Sequence, residues 1–111
     1  MEKELIFYST DRGVVPFENW LKHLRDQRAV AAIRSKLNRV RQGNFGDCKH
    51  LKSGVFELRI HYSPGYRIYF GKYADCTVVL LWGGNKSTQA KDIERAIFYW
   101  RAFKLELRDE S

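Results

Sequence analysis

Cysteine is scarce in this chain. The two present, Cys48 and Cys76, are not spaced as a CxxC pair, and no histidine pair of metal-ligand spacing lies nearby. That leaves no disulfide framework or zinc signature to read, and without a secretion signal both are expected to be reduced, packed thiols. Long apolar runs are lacking as well. The longest, Cys76 to Trp82, covers seven residues and is interrupted by Thr77, far short of the ~20 that span a bilayer. The opening Met-Glu-Lys-Glu has no signal-peptide layout and passes straight into a strand-like run. Internal repeats, low-complexity tracts and linkers are missing too. Acidic residues are outnumbered, 13 Asp and Glu against 20 Lys and Arg, for a formal charge of +7. A cytoplasmic protein is expected, with no membrane contact and a polyanionic partner such as nucleic acid or an acidic protein.

What is present suffices for a core. The 111 residues make one domain, 1–111, and 44% hydrophobic content with 14% aromatics argues against disorder. Residues 3–8 carry Leu5 and Phe7 on one side and Ile6 and Tyr8 on the other, the pattern of a strand buried within a sheet. Pro16 fits a helix's first turn, and Phe17, Trp20, Leu21 and Leu24 predict an amphipathic helix over 15–24. Asp26 is placed to cap a second helix to about Arg41, ended by Gly43. Its buried stripe is Val30, Ile33, Leu37 and Val40, and its other face is basic, with Arg28, Arg34, Lys36, Arg39 and Arg41.

From Asn44 the period changes to two. Phe45 to Leu51 is a weak strand or extended segment; 55–62 and 66–71 alternate cleanly; 76–82 is apolar on both faces, as a central strand is. A Gly83-Gly84 loop then leads to a helix over 88–104 with Ile93, Ala96, Ile97 and Trp100 inward, and residues 108–111 form a frayed tail. The expected fold class is α+β, in the order β-α-α-β-β-β-α, with a mainly antiparallel sheet and the helices on one face. The opposite face is left partly open.

Pairing Tyr62 with Tyr66 across a three-residue loop at Ser63-Pro64-Gly65 matches the apolar faces, and sets His61 opposite Arg67 and Arg59 opposite Tyr69. Glu57, Arg59, His61, Arg67 and Tyr69 then share one polar patch, with Lys86 within reach. Arginine offers a planar fork matched to phosphate oxygens, and tyrosine stacks on bases. RNA is cut when its 2′-OH attacks the adjacent phosphate. Arg59, Arg67 and Lys86 are the candidates to neutralise the developing charge. His61, of the residue type that ordinarily titrates near neutrality, is the first candidate for proton transfer, with Glu57 and Asp92 as carboxylate alternatives. No metal constellation or cofactor motif is evident, so cleavage without a metal is expected. His23 and His50 stand alone, and Trp20, Trp82 and Trp100 read as core.

The stretches SGVFELRIHYSPGYRIYF (53–70), VLLWGGNKSTQ (79–89) and DIERA (92–96), with YSTDRGVVPFENWLKHL (8–24) and the basic second helix, resemble the HigB-like, phage-derived addiction-module killer branch of the RelE/ParE toxin superfamily over nearly the whole chain. The resemblance implies the compact RelE fold with a curved sheet. It also implies an endoribonuclease acting on mRNA at the ribosome. The implied partner is an adjacently encoded helix-turn-helix antitoxin, through which operator DNA is reached. Carried over, the basic strand residue falls on Arg59, the arginine after the turn on Arg67, the basic residue after the glycines on Lys86, and the late acidic position near Asp92. Within the patch itself, Glu57 and Tyr69 are the candidate substrate-binding residues. Departures are Glu57, basic in some relatives, the late tyrosine, for which Tyr99 lies too far along, and His61, which is not general. Two other readings compete: a gyrase-poisoning toxin of the ParE kind, and a catalytically silent partner of antitoxin and DNA.

Overall fold

Apolar spacing, caps and alternation build nine short elements in the computed structural model, which describes residues 2–110. They are β1 (Glu4–Phe7), α1 (Pro16–Lys22), α2 (Gln27–Arg41), β2 (Cys48–His50), β3 (Val55–Ile60), β4 (Tyr66–Tyr73), β5 (Thr77–Asn85), a 3₁₀ turn (Lys86–Thr88) and α3 (Gln89–Glu110). The fold is α+β, with a five-stranded mixed sheet in the order β1-β5-β4-β3-β2. β1 runs parallel to β5 and the other pairs are antiparallel. No helix among the described residues is long and apolar enough to cross a membrane.

The helices do not gather on one face. Phe17 and Leu21 of α1 and Ala29, Ile33, Leu37 and Val40 of α2 pack with Leu58, Ile60, Tyr66, Ile68, Phe70, Val78 and Leu80 on one side of the sheet. Ala96, Ile97 and Trp100 of α3 cover Val55, Tyr69, Val79 and Leu81 on the other. The reason lies in β5, whose residues are apolar on both faces because both faces are covered. β1 shares that pattern for the same reason. It is the sheet's edge strand rather than an internal one, yet Phe7 meets Phe17 and Tyr8 meets Tyr99 on opposite sides.

Other expectations shift in detail. Partner registers show Tyr69 opposite Trp82 but Phe70 opposite Leu80, so Leu81 is an extra residue on β5. This bulge turns Trp82 toward α3 with Leu81. Gly83 and Gly84 are strand residues, not a loop. A Cβ on Gly83 would collide with the Trp20 ring, and one on Gly84 with the Asp92 carboxylate, so the two glycines serve close approach. The β3–β4 hairpin keeps its predicted parity but is displaced by two residues, with Ile60 opposite Tyr66 and Arg59 opposite Arg67. A longer turn over 61–65 causes this, closed by Gly65 N–H donating to the Tyr62 carbonyl at 2.6 Å. On α2, Ala29 takes the inward position and Val30 is only half-buried. α3 continues to Glu110, beyond the expected end, while Ser111 lies outside the described residues. Cys48 is half-buried and Cys76 is exposed rather than packed; both are free thiols.

Asp26 does cap α2. Its Oδ1 accepts from Arg28 N–H at 2.9 Å and Ala29 N–H at 3.3 Å, while Oδ2 accepts from the Tyr62 hydroxyl at 3.2 Å. One side chain thus closes a helix end and tethers the 61–65 turn. Asp26→Ala is expected to lower the unfolding free energy by about 1 kcal/mol, as loss of an N-cap does, read as a lower urea midpoint at unchanged m-value.

Candidate functional site

Cross-strand pairing sets Arg59 directly opposite Arg67. Like charges in that position repel, so the pair needs a counter-charge, and Glu57 provides it. Alternation along β3 places Glu57 on the same face as Arg59, where α3 closes over it until its side chain is fully buried. A bare carboxylate there would be costly. This one accepts from Arg59 Nε at 3.0 Å through Oε1 and from Gln89 Nε2 at 2.7 Å through Oε2, with Arg67 Nε 3.6 Å from Oε2. Both arginines face Glu57 through Nε, and their Nη groups make no hydrogen bond among the described residues. The hydrogen bond to Glu57 raises Arg59 further above its ordinary value.

Beside this cluster lies a hollow of about 390 Å³, walled by Arg59, Arg67, Lys86 and the 60–66 turn that carries His61. Lys86 arrives there because its N–H donates to the Gly65 carbonyl at 3.1 Å and the Asn85 side chain caps the turn beneath it, accepting from Ser87 N–H at 2.9 Å. Its side chain is exposed and makes no hydrogen bond or ion pair among the described residues. Three cations against one buried carboxylate leave the hollow suited to an anion. His61 is not on the strand as expected. It stands on the turn, 77% exposed, with Nε2 2.7 Å from Asp47 Oδ2.

The structure therefore brings Arg59, Arg67, Lys86 and His61 around one hollow and sets the other candidates beneath or beside it. Glu57 and Tyr69, expected to touch substrate, are each fully buried by α3. Tyr69 has no open face on which a base can stack, and its hydroxyl has no hydrogen-bond partner. Burial, then the negative charge of Glu57 and Asp92, pushes its phenol well above the usual range, against the pull of Arg67. Asp92 is 8% exposed and occupied: Trp82 Nε1 donates to it at 2.8 Å, and Thr88 Oγ1 donates to its other oxygen. It holds the turn that carries Lys86 and does not line the hollow. Of the lone histidines, His50 packs on the Phe56 ring and His23 bonds the Asn19 carbonyl of its own helix.

Gln89 and Asp47 escaped sequence reading. Each acts through a partner distant in sequence, and only Gln89, in the 79–89 stretch, lay within a motif already singled out. A larger hollow of about 490 Å³ lies on the opposite side, between α1 and α2. Its floor is mainly apolar, with Phe7, Phe17, Leu21, Leu24, Val30 and Leu37, and it gathers no comparable cluster of cations about a buried carboxylate.

No family model matches the chain. An uncharacterized protein of Haemophilus influenzae is 48% identical to it over 85 residues, which are 77% of this chain and 86% of that protein.

The burial of this cluster gives two contrasting expectations. Glu57→Ala strands Arg67, whose side chain is 14% exposed, and is expected to cost about 3 kcal/mol of unfolding free energy. Tyr69→Phe removes an unbonded buried hydroxyl and is expected to leave stability unchanged or raise it by about 1 kcal/mol. The wild-type phenol keeps its proton in the folded state at pH values where the unfolded chain releases it, above about pH 10. Its stabilising share is complete below that pH and declines above it. Urea unfolding between pH 8 and pH 11 is expected to show a shallower decline in Tyr69→Phe.

Proposed function

We propose that this chain, which belongs to one family with the Haemophilus influenzae protein, is the toxin of a toxin–antitoxin pair, a metal-independent endoribonuclease that cuts mRNA on the ribosome. The observation that carries the reading is the pair of arginines tethered through Nε to one buried carboxylate, with their Nη groups free beside Lys86. The α+β class, with a five-stranded mixed sheet, is compatible with the RelE-like fold that the sequence resemblance implies. On this reading the protein works in the cytoplasm, is silenced by a helix-turn-helix antitoxin, and meets operator DNA through that partner.

The chemistry follows from the placement. An RNA phosphate in the hollow meets Arg59, Arg67 and Lys86, which stabilise the extra negative charge of the pentavalent phosphorus. The 2′-oxygen forms a bond to phosphorus and the bond to the 5′-oxygen breaks, leaving a 2′,3′-cyclic phosphate and a free 5′-OH. The proton lost from the 2′-OH and the proton gained by the 5′-oxygen balance. His61 is placed at the rim to carry one of these transfers, its ring oriented by Asp47. Asp92, occupied by Trp82 and Thr88, keeps the Lys86 turn in place. DNA has no 2′-OH and is not cut by this route.

Lys86→Ala is the informative variant, since among the described residues the side chain makes no hydrogen bond or ion pair and its removal is expected to leave the fold intact. Induction of wild type in bacteria is expected to give codon-phased new 5′ ends in mRNA. Lys86→Ala is expected to reduce them by about 10²-fold or more at equal protein level, the scale of one lost charge-stabilising donor. Growth arrest with intact mRNA would overturn the reading in favour of gyrase or another target. Neither arrest nor cutting would favour a silent binding protein.

A further inference from the structure

Gln89 is the one neutral ligand of the buried carboxylate. It opens α3, directly after the turn that carries Lys86, and reaches 32 positions back in sequence to donate Nε2–H to Glu57 Oε2 at 2.7 Å. Glu57 Oε1 is taken by Arg59 Nε at 3.0 Å. Arg67 Nε stands 3.6 Å from Oε2 and is buried without a hydrogen bond. The carboxylate can turn about its terminal torsion, which is broad for glutamate. Arg59 holds one oxygen, Arg67 stands too far to hold the other by a hydrogen bond, and the Gln89 amide from a different element holds it instead. The segment 85–89 thereby carries one cation of the hollow and bonds the carboxylate shared by the other two. It presents Lys86, it binds the 61–65 turn through Lys86 N–H, and through Gln89 it fixes the carboxylate that aims Arg59 and Arg67.

We propose that Gln89 is a positioning residue of the RNA site, locking the Glu57 carboxylate so that the Nη edges of Arg59 and Arg67 converge on one phosphate. The inference rests on the ribonuclease reading. Its physical core, the locking of two guanidiniums by one amide, does not. An amide suits the position because it donates without adding charge. A lysine there would bring a fourth cation, and a glutamate would set a second carboxylate against Glu57.

Two variants and two readouts test this. Gln89→Met keeps the length and removes the donor. In single-turnover cleavage of mRNA on programmed ribosomes at saturating protein, its rate constant is expected to fall about 10²-fold, the scale of a misaimed catalytic group. The concentration for half-saturation is expected to change little, and the melting temperature to fall by a few degrees while staying above the assay temperature, since a hydrogen bond to a buried charge is lost. Gln89→Glu places a carboxyl among Glu57 and Arg59 of β3, Tyr69 and Arg67 of β4, and Asp92 of α3. Two carboxyls at one site share a proton, so this variant is expected to donate to Glu57 only when protonated. Its cleavage rate relative to wild type is expected to approach one at acid pH and to fall as pH rises, whereas the ratio of Gln89→Met to wild type stays constant with pH.

Independently of cleavage, the Nε–H resonances of Arg59 and Arg67 in ¹⁵N-labelled protein are expected to be sharp in wild type and broadened or fast-exchanging in Gln89→Met. Unchanged resonances, together with wild-type cleavage by Gln89→Met, would overturn the assignment. A fall in rate that comes from unfolding at the assay temperature, with no recovery of Gln89→Glu relative to wild type at acid pH, would also overturn it, in favour of a structural role. Should wild type leave mRNA uncut, the ribonuclease reading fails by itself, and the resonances still decide whether Gln89 locks the arginines.

Discussion

A carboxylate out of reach of water, shared by two arginines that the sheet forces face to face, is the constraint around which the site is organised. Arg59 and Arg67 are cross-strand partners, an arrangement that β-pairing alone disfavours. Glu57 turns repulsion into a bridge, but with one negative charge against two positive. The deficit faces outward, and Lys86 adds to it. Such a surplus of positive charge suits an anion, and the planar forks of the arginines match phosphate oxygens in shape.

That constraint depends in turn on α3. Its inward residues bury the half of the sheet face where Glu57 and Tyr69 lie, and its first turn stops short of Arg59 and Arg67, which remain partly open. The bulge at Leu81 helps to set this boundary. By turning Trp82 toward α3 it supplies a donor for Asp92, and Asp92 holds Thr88 and the turn before it. The two glycines that follow let Trp20 on one side and Asp92 on the other approach the backbone closely. Core packing and site geometry are continuous here: the residues that stop water from reaching Glu57 also place the lysine.

Parity made much of this legible in the sequence. Strict alternation in 55–60 and 66–70 put Glu57, Arg59, Arg67 and Tyr69 on one face, and the Asp26 cap and the α2 helix could be read from local chemistry. What alternation does not register is a displacement by two, which is why the hairpin partners were misassigned while their faces were right. Nor does an apolar strand say which side its cover comes from. Both faces of β5 read as apolar, yet its sequence does not say that α3 covers the face opposite α1 and α2. The burial of Glu57 and Tyr69 was invisible for the same reason, and so was Gln89, whose bond spans 32 positions and follows no local pattern.

The parallel pairing of β1 with β5 carries a consequence for the order in which the protein can come into being. Glu4 lies beside Thr77 and Phe7 beside Leu80, so the first strand made has no partner until about two-thirds of the chain has followed it. Such long-range pairing closes late, because its loop entropy must be met before its contacts exist. The hollow is later still, since its lysine and the amide that braces Glu57 follow β5. A nascent chain therefore holds Arg59 and Arg67 without Lys86 and without the Gln89 amide until every strand of the sheet has been made.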